Sequence, residues 1–110
     1  MGDDCLFCKI AGGETDTDFL METDDVVVFR DINPIAPVHL LLVPKRHIRS
    51  VNDLTEEDSP VLSALLFAAR DMAVQMGVDA TGYKLIFNVE KGGGQEIFHL
   101  HMHMIGGWES

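Results

Sequence analysis

Three histidines, His99, His101 and His103, alternate with Leu100, Met102 and Met104 near the end of this 110-residue chain. Side chains of a strand alternate between faces, so the spacing predicts a strand over Ile97 to Ile105 with all three imidazoles on one side. Two rises of about 3.3 Å would set neighbouring rings roughly 6.5 Å apart, room for a reacting group to lie across the row. Imidazole changes charge near neutral pH and serves as acid, base, nucleophile and metal ligand. Two chemistries fit. The row could ligate a metal, since two histidines two apart plus a third ligand make a common zinc arrangement. Alternatively a neutral imidazole attacks phosphorus and forms a covalent intermediate while a neighbouring imidazolium protonates the leaving group. In that reading the central His101 is the nucleophile and His103 the acid. Gly92-Gly93-Gly94 would let backbone N–H groups approach a phosphate closely, and Gln95 would add a neutral donor for its nonbridging oxygens. Cys5 and Cys8 make a second candidate, a C-x-x-C pair suited to metal or redox chemistry, or else two small buried thiols. Two thiolates supply only half of a tetrahedral zinc site.

The elements that must position these residues follow from pattern. Leu6, Phe7 and Ile10 have helical spacing, ended by Gly12-Gly13. Phe19 to Glu22 and Val26 to Arg30, around Thr23-Asp24-Asp25, read as a hairpin. Asp31 to Pro37 is a structured loop, because its prolines exclude a ladder. His39 to Val43 is a continuous apolar run and reads as a buried strand closed by Pro44. From Val61 to Met76 apolar residues recur at helical spacing, with an opening turn at Thr55 to Asp58 or a start with Pro60 at the first helical position. Tyr83 to Val89 alternates as another strand, and the three glycines form a flexible connection to the histidine strand. Hairpin-like pairs with one long helix predict an α+β fold on an antiparallel sheet.

The chain has the length of one domain, 1–110, and 46% hydrophobic with 24% charged residues is the balance of a globular protein. A net charge of −10 argues against binding nucleic-acid polymers or anionic membranes, which rests on Lys and Arg. Lys45, Arg46, His47 and Arg49 form the basic cluster, read as a solvated strand end. No apolar run reaches the ~20 residues of a membrane span, and Met1 to Asp4 lacks the start of a signal peptide, so a cytoplasmic location is expected. A core this small makes self-association a plausible source of added stability.

The run His99-Leu100-His101-Met102-His103-Met104-Ile105 resembles the His-φ-His-φ-His-φ-φ motif (φ apolar) of the histidine-triad (HIT) hydrolases and transferases. Further blocks extend the likeness: Phe29-Arg30-Asp31-Ile32-Asn33-Pro34, Ala36-Pro37-Val38-His39, Val43-Pro44-Lys45-Arg46-His47, Asn88, Gly93-Gly94-Gln95-Glu96 and Gly106-Gly107. In this order they are similar to the Hint branch, whose members act on purine nucleoside phosphoramidates. The resemblance implies a five-stranded antiparallel sheet, one long and one short N-terminal helix, a homodimer, and hydrolysis through a nucleotidyl-histidine without a catalytic metal.

By position, the resemblance makes His101 the nucleophile, His103 the phosphate-side group that assists the departing amine, and His99 and His39 supports that orient the nucleophile. Asp31 would hold the ribose hydroxyls, although by local pattern alone it is a turn residue. Leu6, Phe7, Ile10, Phe29 and Ile32 would line the purine slot, although by periodicity alone they are core. Asn88, Gly94, Gln95 and Glu96 would lie near the phosphate and leaving group. Cys5, Cys8, His47 and His99 would form a structural zinc site, giving His99 two candidate duties. The chain departs from the family at Thr15-Asp16, where an apolar residue and proline are usual, and its tail beyond Gly107 is short, so Trp108 could take over the contact that longer tails make. Two rival functions are a metal-dependent hydrolase ligated by the histidine strand, and a nucleotide-binding regulatory module with vestigial catalysis.

Overall fold

The computed structural model describes residues 5–108; the ends, including the stretch read for a targeting signal, lie outside the described residues. Its elements are α1 (Leu6–Ala11), β1 (Met21–Glu22), β2 (Val26–Arg30), β3 (Val38–Pro44), α2 (Ser59–Gln75), β4 (Tyr83–Ile86) and β5 (Met102–Gly106). The five strands form one antiparallel sheet in the order β1-β2-β3-β5-β4. This is the expected α+β architecture, with one long helix and one short N-terminal helix. Among the described residues no helix is long and apolar enough to cross a membrane.

The two sheet faces have different partners, and the alternation of residue types decides which is which. Val26, Val28, Leu40, Leu42, Met102 and Met104 pack with Leu65, Ala69, Met72 and Ala73 of α2 in the larger core. Val27, Phe29, Leu41 and Val43 turn the other way and pack with Phe7, Ile10 and Ala11 of α1. Phe29 pairs with Leu41, and Leu41 with His103, so these three cross the sheet as one row on the α1 side. Each strand therefore contributes one residue in two to the α2 core, and the residue types left over build the opposite face.

Several element boundaries differ from those expected. The histidine strand begins only at Met102, not Ile97: its ladder with β3 starts at Met102 opposite Leu42, and Val43 and Pro44, which follow, pair with β2 alone. Residues 97–101 are anchored instead to the segment after β3, where Leu100 N–H donates to the Ile48 carbonyl (2.6 Å). The alternation survives: Leu100 joins Met102 and Met104 in the α2 core. β4 ends at Ile86, opposite His103, rather than Val89. β1 is only two residues long, although Leu20 N–H still reaches the Val28 carbonyl (2.7 Å). The glycine connection is not a loose link but a turn of 3-10 helix over Lys91–Gly93. The opening-turn alternative for the long helix is realised, since a 3-10 turn over Glu56–Asp58 precedes α2, and Pro60 is the second residue of the helix, not its first. The buried Asp58 carboxylate closes that turn by accepting from Thr55 N–H (2.9 Å) and is also paired with the Arg46 guanidinium.

Candidate active site

α1 begins at Cys5, whose Sγ accepts the Cys8 N–H (3.2 Å) and caps the helix. The same turn brings both thiols to one side, facing His47 and the buried His99. Cys5 Sγ lies 3.2 Å and Cys8 Sγ 3.4 Å from His99 Nδ1. His47 Nδ1 lies 3.3 Å from Cys8 Sγ and 3.2 Å from His99 Nδ1. The edges of a tetrahedron built on Zn–S of about 2.3 Å and Zn–N of about 2.0–2.1 Å measure roughly 3.3–3.8 Å, so the four donors have the spacing of a metal site. Burial, with the hydrogen bond and charge of Cys5 adding, pushes the Cys8 thiol up to about 11, a value that a bound cation would reverse.

His99 is oriented for that cluster by its other nitrogen. Its Nε2 lies 2.8 Å from the Pro44 carbonyl, which can only accept, so the proton is on Nε2 and the Nδ1 lone pair points at the thiols. The main chain of His99 does something separate: its carbonyl lies 2.7 Å from His101 Nδ1. The same rule places the His101 proton on Nδ1 and leaves Nε2 with a free lone pair. The two duties of His99 are thus carried by different atoms, the ring serving the cysteine cluster and the carbonyl serving His101.

His101 is wedged between Phe7, edge to face at 4.9 Å, and His103, with ring centroids 5.1 Å apart. This is closer than the spacing expected of an ideal strand, because His101 lies just outside the ladder. His39 and His103 are diagonal neighbours across β3 and β5, and His39 Nε2 lies 3.0 Å from His103 Nδ1. His39 therefore touches His103 and not His101, which it was expected to orient. Asp31, whose Oδ1 accepts the Asn33 N–H (2.8 Å), places Oδ2 3.4 Å from His39 Nε2. Burial lowers the titration of all three triad members, that of His99 to about 4; neighbouring imidazoles add to the effect at His99 and His103, and the Asp31 charge opposes it at His101 and His103.

A cleft of 270 Å³ opens beside His103. Its apolar walls are Leu6, Phe7, Ile10, Phe29 and Ile32, and its rim carries Asp31 and Glu96. Thr17, Arg30, Asn33, Leu41 and Ile97 also line it, and none of these was singled out from the sequence. Asn88, Gly94 and Gln95 do not line the cleft. The Gln95 amide is fully engaged: its Nε2 donates to the Arg49 and Ile97 carbonyls (2.8 and 3.0 Å) and its Oε1 accepts from Glu90 N–H (2.7 Å). The expectation of a free donor for phosphate is therefore corrected to a loop anchor. Asn88 likewise donates to the Gly93 carbonyl (2.9 Å). Glu90 was missed. It holds φ +59° and ψ 179°, a conformation that costs a non-glycine residue about 1–3 kcal/mol, and its carboxylate is gripped by Arg49 (2.9 Å) and Ser50 (2.7 Å).

The buried neutral imidazoles give a pH dependence with a definite sign. A base whose titration is lowered by folding binds fewer protons in the native state, so stability is lost as pH falls below the unfolded value of 6.5. The urea midpoint is expected to fall between pH 6.5 and about 5, where carboxylates remain ionised; a midpoint constant over this range would contradict the assignment.

Comparison with known proteins follows the same lines. Residues 4–108 match the family model described as scavenger mRNA decapping enzyme C-term binding. The chain is 43% identical over 104 residues to protein HitA of Neisseria gonorrhoeae, covering 94% of this chain and 96% of that one. It is 40% identical over 107 residues to the purine nucleoside phosphoramidase of Escherichia coli K12, covering 97% and 90%. Among solved structures, a HIT family hydrolase from Legionella pneumophila superposes with a TM-score of 0.94 at 46% identity, covering 96% of this chain and 95% of that chain. With its triad, its sheet and its sequence all in agreement, the chain belongs to the histidine-triad family.

Proposed function

We propose that this protein is a cytoplasmic hydrolase of purine nucleoside 5′-monophosphoramidates that works through a covalent nucleotidyl group on His101. The observation that carries the reading is the 2.7 Å bond from His101 Nδ1 to the His99 carbonyl, which leaves Nε2 with a free lone pair on a ring packed against Phe7 and His103 of the cleft lining. The Escherichia coli relative that carries the name purine nucleoside phosphoramidase supports the substrate class. The purine would lie in the apolar slot against Phe7, Phe29 and Ile32, and Asp31 Oδ2 would take the ribose hydroxyls. Nε2 forms a bond to phosphorus as the phosphorus–nitrogen bond breaks, and the amine departs with a proton. Water then attacks phosphorus, gives that proton back and restores the imidazole. The charge that develops on Nδ1 in the intermediate is met by the His99 carbonyl. His101→Ala should lower turnover of adenosine 5′-monophosphoramidate by at least about 10³-fold while AMP still binds; full activity in this variant would overturn the mechanism.

The same reading gives zinc a structural place at Cys5, Cys8, His47 and His99, where it would tie α1 to the segment that precedes β5. Bound there, it supplies cross-linking and not a reacting centre. Metal analysis should find about one zinc per chain, lost in Cys8→Ser. Chelation should lower the denaturant midpoint yet leave turnover in the folded fraction, whereas complete loss of turnover with the fold intact would favour the metal-dependent rival.

Two chains would pair through the edge strand β4 and α2, where Leu66, Phe67, Val74 and Leu85 are exposed. Light scattering at micromolar concentration should give twice the mass of one chain, and a monomer would contradict the pairing.

A further inference from the structure

Two amides of the loop between β2 and β3 reach one histidine, and a third holds the carboxylate beside it. Asp31 N–H donates to the His39 carbonyl (3.0 Å), Asn33 N–H to Asp31 Oδ1 (2.8 Å), and Ile35 N–H to His39 Nδ1 (3.2 Å). Pro34 and Pro37 in the same loop have no N–H to offer. Ile35 is 73% exposed, and its bond to the site is made by its main chain.

An amide N–H pointing at His39 Nδ1 requires a lone pair on that nitrogen. The proton of neutral His39 is then on Nε2, which faces His103 Nδ1 at 3.0 Å and Asp31 Oδ2 at 3.4 Å. His103 Nδ1 must accept this N–H, so the proton of His103 is on Nε2, the nitrogen not engaged by His39. A proton cannot pass along the row from His103 to His39, because His39 could release its Nε2 proton only by taking another on Nδ1, where the Ile35 amide stands. The same occupancy removes the lone pair that a cation among Asp31, His39 and His103 would need, although these three lie within reach of one another.

We infer that the Ile35 amide is a positioning group that locks His39 and through it holds His103 as a neutral hydrogen-bond donor to the phosphoryl group, not as an imidazolium acid. This rests on the nucleotidyl-transfer reading and changes one role within it. His103 then stabilises charge on the substrate through a fixed Nε2–H, as an oxyanion donor does, and the departing amine draws its proton from water. The groups facing His39 and His103 are Asp31 from the loop after β2 and His101 from the segment before β5.

The test uses the intact protein labelled with ¹⁵N-histidine. Long-range ¹H–¹⁵N spectra at neutral pH should show His39 and His103 each protonated on Nε2 and bare on Nδ1. A proton on Nδ1 of either ring overturns the inference, whether or not the protein hydrolyses anything. Ile35→Pro removes that N–H. It should lower kcat by roughly tenfold with KM within about twofold, and let the His39 proton exchange between the two nitrogens. Ile35→Ala, which keeps the amide, should match the parent in both respects. If the proline and alanine variants agree in kcat and in the His39 spectrum, the amide has no positioning role. Absence of turnover in the parent would sink the nucleotidyl-transfer reading while leaving the spectra to decide the tautomers.

Discussion

Everything near the reactive centre depends on one residue whose ring and carbonyl are committed to different neighbours. The His99 ring is held by the Pro44 carbonyl and turned into the cysteine cluster, while its own carbonyl fixes the proton of His101. A carbonyl oxygen can only accept, so each of these bonds decides a tautomer without any titration. Because the ring of His99 is buried and neutral, its position cannot be exchanged for a solvated one at little cost. The cluster therefore supports His101 indirectly, by holding the main chain that carries the carbonyl. A metal at the cluster and the orientation of His101 would not compete for the same atoms.

The sheet explains why this arrangement is affordable to a small protein. One face is sealed by α2 with aliphatic and methionine side chains, so the other is free to carry polar groups beneath a single short helix. α1 both covers the Phe29 and Leu41 row and supplies the two thiols. Its Phe7 lies against Phe29, His99 and His101 at once, linking the apolar slot, the cluster and the central histidine of the triad.

Much of this was legible in the residues. The period of two over Leu100, Met102 and Met104 identified the core face even though the ladder covers only part of that run, because alternation reports which side is buried and not which backbone groups are paired. The apolar run from His39 to Val43 and the break at Gly12 likewise marked their elements. Less visible were features carried by main-chain atoms. Neither the Pro44 carbonyl nor the Ile35 amide has a residue-type signature, and both act on histidines from distant or looping chain. Gln95 was misread for a related reason: its donors suit a phosphate, but the Arg49 carbonyl, brought near by the fold, and the Ile97 carbonyl occupy them first. The backbone of Glu90 gave no warning either, since a non-glycine residue at positive φ is held there by partners far away in sequence.

The decisive measurement concerns the bond that His101 forms. Protein labelled with ¹⁵N-histidine, mixed with adenosine 5′-monophosphoramidate and quenched before water can act, should yield an adduct heavier than the free protein by one AMP less one water. Phosphorus–nitrogen coupling should place phosphorus on Nε2 of His101. Phosphorus on Nδ1, on His103, or on no histidine under conditions of rapid turnover would contradict the assignment of the nucleophile and the role given to the His99 carbonyl.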